Sequence, residues 1–349
     1  MSVGKTNHYE TRPVRTERAL SWTRRRFLKA AAVGGAALAG GALLGHLSGP
    51  SEPKTETFIA KVNGYNRDIR RVLLEGFAEL GIKADAVRGK RILLKPNLVE
   101  PHRKFEHINT HPLVIRAAVE AFLSLGASAV MVAEAAGHRR DSILVLEESG
   151  LAEVLSEDKI PFVDLNESSV IKVENLGKAS KLQHLYFPEE VLNADLIVSV
   201  AKMKTHHWAG VTLSMKNLFG VMPGIVYGWP KNVLHWAGLQ QSIFDICATL
   251  KPHFAIVDGI ESMEGDGPIM GDPVRANVIV MGPNLPAVDA TAARIMRINP
   301  QKIAYLSYAS GKIGSISSKA IDQRGEKIRA VRKQFRLLDH IPAHKDIAA

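Results

Sequence analysis

Short apolar runs alternate with segments of helical spacing along most of the chain. Thr57-Phe-Ile-Ala-Lys-Val62 opens the pattern as a first strand. From Arg67 to Leu80, the residues Ile69, Val72, Leu73, Phe77 and Leu80 fall on one side of a 3.6-residue turn, which predicts a helix. Lys90–Lys95 is a buried-strand run stopped by Pro96-Asn97. Pro112 suits the first turn of the next helix, with Asn109 or Thr110 as its cap. Val114, Ile115, Ala118, Phe122 and Leu125 line that helix before Gly126 ends it. A strand follows at 128–133, then a helix at 140–155 that Gly150 interrupts, and a strand at 161–165. Beyond them come a strongly apolar strand at 194–200, a helix at 233–250, strands at 253–258 and 276–281, and helices at 284–296 and 300–309. Residues 208–221 fit no single period. Continuous apolar strands alternating with helices predict an α/β fold, a mainly parallel sheet with helices on both faces, in one body or two lobes.

Ahead of the first strand, Ala30–Leu47 contains no Lys, Arg, Asp or Glu. It approaches the length of a membrane span (~20 residues). Its alanines and glycines, among them Gly34, Gly35, Gly40, Gly41 and Gly45, leave it only weakly apolar. Directly before it stands Thr23-Arg24-Arg25-Arg26-Phe27-Leu28-Lys29. Together the two resemble a twin-arginine (Tat) export signal, with a basic region 1–29, an apolar region 30–47 and Arg24 and Arg25 as the paired arginines. The resemblance implies the Tat translocase as a partner and a cargo that folds before it reaches the periplasm. His46 and Leu47 stand where cleavage would want small residues, so an uncleaved signal anchored in the inner membrane is the second expectation. The punctuated stretch 48–56 is a linker, 57–312 the α/β core and 313–349 a basic C-terminal segment.

The formal charge of +10 resembles a nucleic-acid signal until it is divided. Residues 1–29 carry +6 and residues 313–349 carry +4, so the centre is neutral. A neutral core lacks the positive field that a phosphate backbone demands, which excludes nucleic acid as a partner. The basic residues from Lys327 to Arg336 recur at helix-like intervals and read as a solvated helix face that also suits anionic lipid. The single cysteine, Cys247, permits no intramolecular disulfide. It also cannot supply the roughly four thiolates of an iron–sulfur cluster. Its apolar neighbours mark it as a small core hydrophobe.

In open α/β sheets, ligands bind beyond the carboxyl ends of the strands, and the polar clusters of this chain gather there. Lys95, Lys202, Lys204 and Lys216 together predict a cationic pocket for a carboxylate or phosphate, with Asn97 and Asn217 as further substrate contacts. His206 lies among lysines that lower its pKa, so it is expected as a neutral base that moves a proton together with Lys204 and Lys216. Asp258, Glu261, Glu264 and Asp266 form a dense run of oxygen donors after a strand, suited to Mg²⁺, Ca²⁺ or Mn²⁺. With His206 or His207 added, the set suits Zn²⁺, Mn²⁺ or Fe²⁺. The alternative for these acids is helix capping or pairing with the lysines. His111 and His235 are weaker candidates, and His111 also suits a helix start.

The Lys95-Pro-Asn segment, Lys204-Thr-His206, Thr212-Leu-Ser-Met-Lys216-Asn217 with Phe219-Gly220, and Asp258-Gly-Ile-Glu261 through Gly267-Pro268 occur in an order that resembles the domain-of-unknown-function family 362. Asp289 also falls where that family places an aspartate, and the likeness spans about residues 57–330. Some members carry a ferredoxin-like cysteine module, which this chain lacks. The resemblance implies a fold and a set of positions and no particular reaction. Two functions stay open. One is an exported enzyme acting on a small anionic substrate, with or without a divalent metal. The other is a non-catalytic accessory protein that holds a cofactor for a redox partner.

Overall fold

The computed structural model describes residues 54–137 and 141–349; the paired arginines, the apolar run and most of the linker lie outside the described residues. The strands are β1 (Thr55–Lys61), β2 (Arg91–Lys95), β3 (Ala129–Glu134), β4 (Phe162–Asp164), β5 (Val170–Glu174), β6 (His184–Pro188), β7 (Leu196–His206), β8 (Gly210–Thr212), β9 (Phe254–Glu264), β10 (Asp272–Val274), β11 (Val278–Gly282) and β12 (Ile321–Gly325). The helices used below are α1 (Ile69–Glu79), α2 (Pro112–Ser124), α3 (Ser142–Glu148), α4 (Leu151–Glu157), α5 (Ser214–Asn217), α6 (Asn232–Leu250) and α7 (Leu285–Ile295).

One sheet runs in the order β12-β1-β11-β9-β7-β2-β3-β4, with β8 on β7 and β10 on β9. β9, β7, β2, β3 and β4 are mutually parallel. β11 runs against both of its neighbours, β9 and β1, and β12 lies parallel to β1. Strand alternation then builds two cores. Leu93 of β2 points to one face and Ile92 and Leu94 to the other. α1 and α2 cover the second face through Leu73, Phe77, Ile115 and Phe122. α6 and α7 cover the first through Ile243, Phe244, Val288 and Ile295. The expected sheet with helices on both faces is therefore present, and residues 54–349 form one compact unit with no second lobe.

Several local readings change. β7 and β9 run to His206 and Glu264, well past the predicted ends at 200 and 258. The short partners β8 and β10 supply the extra backbone hydrogen bonds, so polar residues continue as strand. The interrupted helix is two helices, α3 and α4, separated by Gly150 at φ 77°, a left-handed turn that glycine adopts without a Cβ penalty. His111, and not Asn109 or Thr110, caps α2: its Nδ1 accepts from the Leu113 amide at 3.2 Å. Asn109 and Thr110 hold the loop after β2 instead. Thr110 Oγ1 accepts from the Asn97 amide and donates to the Val200 carbonyl, both at 2.8 Å. Residues 208–221 combine β8, α5 and a 3₁₀ turn at Leu218–Val221, which explains their lack of a single period.

The β5–β6 hairpin and β12 carry no sequence signal strong enough to be read. The basic C-terminal segment is not a solvated helix face, because only Ile328–Val331 is helical. β12 pairs with β1, and Phe335 and Ile347 are buried in the core. Arg324 and Arg336 pair with Glu56 and Asp272.

Candidate functional site

Lys95 ends β2 and Glu134 ends the neighbouring β3, so the parallel register sets them side by side. Lys95 Nζ donates to Glu134 Oε2 at 2.7 Å and to the Pro96 carbonyl at 2.6 Å. Glu134 also accepts from the amides of Leu98 (2.9 Å) and Ala135 (3.0 Å). Both side chains are buried. Burial pushes the lysine pKa down and the carboxyl pKa up, and the charge of each partner opposes both shifts. The backbone of Gly220 passes so close that a Cβ there would collide with Glu134 Oε1 and sit 2.7 Å from Lys95 Nζ.

α5 brings Lys216 and Asn217 to this pair. Its first turn is held by Asp289 of α7, which accepts from the amides of Ser214 (2.8 Å) and Met215 (3.0 Å) and from the Ser214 hydroxyl. Asn217 Nδ2 donates to the Lys95 carbonyl (2.9 Å) and to Ser199 Oγ (3.0 Å), which locks α5 onto β2 and β7. Lys216 Nζ lies 4.2 Å from the centroid of the Phe219 ring. Among the described residues it makes no ion pair with a carboxylate. Burial first, and then the charge of Lys95, lower its pKa to about 8. Lys231, in a left-handed backbone conformation, donates to Asn166 Oδ1 at 2.8 Å, and burial lowers its pKa to about 7.

His206, at the end of β7, accepts on Nδ1 from the amides of Trp208 (3.0 Å) and Ala209 (3.3 Å). The ring proton therefore sits on Nε2. Burial, aided by Lys216, holds the pKa well below the usual histidine range. The result is a neutral imidazole presenting an N–H, a donor's geometry rather than the free base lone pair expected.

These groups enclose a cavity of about 120 Å³. Of the residues singled out in the sequence, Lys95, Asn97, His206, Lys216 and Asn217 line it. Glu134, Lys231, Trp208 and Thr212 line it too and carried no expected site role; His207, expected as a candidate metal ligand, and His235, the weaker candidate, also line it. Asn97 Oδ1 and Thr212 Oγ1 are buried and have no hydrogen-bond partner among the described residues. Buried polar atoms normally find partners, so two such orphans beside an ammonium without a carboxylate mark a place for a ligand.

The remaining expected residues lie elsewhere. Lys202 Nζ donates to Asp258 (2.9 Å) and to the Tyr65 hydroxyl (2.7 Å), and Tyr65 in turn donates to Asp258. Asp258 also accepts from the His111 and Ile260 amides, both at 3.2 Å. This knot, in which Lys202 and Asp258 are fully buried, ties β7 and β9 to the start of α2 and does not line the cavity. Lys204 Nζ donates to the carbonyls of Ile108 (2.6 Å) and Pro268 (3.1 Å), fixing two rim loops from behind. The acidic run is largely strand, and the period of two sends Asp258 and Glu261 to opposite faces. Glu261 pairs with Arg275, Glu264 accepts from the Arg336 amide, and Asp266 faces His207. The four carboxylates thus do not converge. Among the described residues no group of three or more His, Cys, Asp or Glu is placed to hold a metal ion. Cys247 is buried and its thiol pKa is pushed well up by burial.

The thylakoid-associated protein sll1697 of Synechocystis sp. is 28% identical over 242 residues, which cover 67% of this chain and 70% of that protein. Among solved structures, the lactate racemase apoprotein of Thermoanaerobacterium thermosaccharolyticum superposes with a TM-score of 0.39 at 14% identity, over 59% of this chain and 50% of that one. A Thermotoga maritima protein gives 0.35 at 12% identity, over 63% of this chain and 56% of that one. The chain thus spans about half the length of these two solved chains. The family model described as Domain of unknown function (DUF362) matches residues 92–294, a stretch that contains every residue lining the cavity from Lys95 to Pro268. That match covers more than half of the sequence, and the chain belongs to the DUF362 family.

Proposed function

We propose that this protein binds a small organic anion in the cavity at the carboxyl edge of its sheet and acts on it as an enzyme. The observation that carries the reading is Lys216, a lysine lining the cavity with no carboxylate partner among the described residues; on the same cavity the Thr212 hydroxyl is free to donate to an anion, and Asn97 Oδ1, an acceptor, is left for a hydroxyl or N–H group of the same ligand. Lys95, Lys216 and Lys231 face one carboxylate, Glu134, so the cavity stays positive after Lys95 and Glu134 neutralise each other. An anion placed there gives Lys216 the partner it lacks and receives a hydrogen bond from His206 Nε2.

Two features favour catalysis over storage. Lys231 and Lys216 have pKa values lowered to about 7 and about 8, so near neutral pH both exchange protons with a ligand at little cost. His206 is held neutral with a fixed donor, as stabilisation of a developing negative charge requires. The test is incubation of the full chain with a panel of carboxylates and phosphate esters, read by mass spectrometry. A converted anion is expected, with conversion lost in Lys231→Met and Lys216→Met. An anion that stays bound and unconverted across the panel would replace the enzyme with a cofactor-holding accessory protein.

We also infer export through the Tat route to the periplasm, with membrane association through an uncleaved signal. The Thr23–Lys29 motif and the thylakoid association of the Synechocystis relative support this. Among the described residues no helix is long and apolar enough to cross a membrane, so any anchor falls to residues 30–47. The double change Arg24→Lys, Arg25→Lys is expected to leave the precursor in the cytoplasm on cell fractionation; undiminished export would refute the route.

A further inference from the structure

A second cavity, of about 670 Å³, adjoins the first. Its lining includes His207, Trp208 and His235, and all three also line the cationic cavity. The first turns of α6 form one wall, through His235 and Trp236, and the segment from His340 to Ala343 forms the opposite wall. The rings make a continuous path from one cavity to the other. Phe219, which carries the Lys216 ammonium over its face, touches His235 at 5.3 Å between centroids, and His235 touches Trp208 at 5.2 Å. Trp208 then meets His207 at 4.7 Å. Trp236 is 77% exposed where it lines this cavity, so its indole is available to a ligand there.

The two volumes differ in character as well as size. The smaller is lined by Lys95, Lys216 and Lys231 against the single carboxylate Glu134 and is large enough for one anionic group. The larger presents two indoles and three imidazoles, which offer π-faces together with N–H and N groups. A saturated alkyl chain uses only the apolar part of such a wall. A planar aromatic body stacks on an indole and meets the polar groups of the same wall with ring heteroatoms or substituents.

We infer that the ligand of this protein is an aromatic anion: its carboxylate or phosphate sits among Lys95, Lys216 and Lys231, and its flat ring system lies in the larger cavity against Trp236, with Trp208 and His235 beside it. This rests on the anion reading above and narrows it to a class of ligand. A carboxylate head and a phosphate head share the same recognition, so the test carries both.

The test is calorimetric titration of the full chain with inorganic phosphate against 1-naphthyl phosphate, and with acetate against 1-naphthoate. In at least one pair the naphthyl compound is expected to bind at least tenfold more tightly. Trp236→Ala, at an exposed position where folding is not at stake, is expected to remove most of that advantage and leave the inorganic or acetate affinity unchanged. Lys216→Met is expected to weaken every member that binds. If the simple anions bind and the naphthyl compounds gain nothing, this inference falls and the anion reading stands. A naphthyl advantage that survives in Trp236→Ala also overturns it, because the ring then lies elsewhere. If none of the four binds, the anion reading falls and takes this inference with it.

Discussion

Lys216 shows how a single side chain turns burial into chemistry. Its ammonium is lowered to about 8 because it is buried and stands near Lys95, while Glu134, spent on Lys95, opposes the shift only in part. The ammonium is present below that value and lost above it, and an anion binds only the charged form. Anion affinity should therefore fall at least about tenfold from pH 7 to pH 9 through Lys216 alone, and further through Lys231, whose pKa is lowered to about 7, with protons taken up on binding at the higher pH. Lys216→Arg, whose guanidinium stays charged, should flatten that profile; calorimetry in buffers of different ionisation enthalpy reads both. Gly220 makes a second point at this scale, since its missing Cβ leaves room for the Lys95–Glu134 pair. Gly220→Ala should pry the pair apart and cost about 3 kcal/mol in denaturant titrations, the scale of a broken buried ion pair. Lys95, Asn97, His206, Lys216 and Asn217 were legible because polar residues at the ends of apolar runs stand out. Glu134 also ends an apolar run, Ala129–Glu134, but it stands there singly, followed by Ala135-Ala136-Gly137, without the cluster of polar residues that marked the others. The available clue was physical: a lysine at the end of a buried strand needs a carboxylate from the strand beside it.

At the level of elements, the site depends on α5, a single turn too short to hold itself. Asp289 of α7 supplies what the turn lacks by accepting its first amides. Asp289→Ala would leave those amides and the Ser214 hydroxyl buried without partners. A loss of about 2–3 kcal/mol in stability is expected, together with weaker anion binding, because Lys216 loses its platform. Asp289 entered the sequence reading only through family likeness, and its contact with residues 75 positions away was beyond any local pattern. β7 and β9 give the opposite case. The apolar runs marked where these strands begin, but their continuation through Lys202, Lys204 and Glu264 depends on β8 and β10. Hence the acidic run looked like a loop able to gather round a metal, whereas as a strand it sends its carboxylates apart. The helix-like spacing of the C-terminal basic residues misled for a similar reason. Pairing with β1 and burial of Phe335 overrode a local period that nothing long-range supported.

Across the whole molecule, the sheet divides the expected pocket into two. Lys202, Asp258, Tyr65 and His111 form a buried knot of their own, while Lys95, Lys216, Lys231 and His206 gather around the cavity. Lys204 stands between them, fastening the loops that carry Ile108 and Pro268. The sheet with helices on both faces was readable because hydrophobic periodicity is local and strong. The partition of charges was not, because it depends on which face each alternating residue meets and on the bulge in β7 between Lys202 and Lys204. The central claim is that the cavity is an anion site built around Lys216. Its most direct test is calorimetric titration of the full chain and of Lys216→Met at pH 7 with phosphate, sulfate, acetate and oxalate. The account predicts one-to-one binding of at least one of these anions to the wild type and a tenfold or greater loss in the variant. Failure of all four to bind, or equal affinity in both proteins, would contradict it.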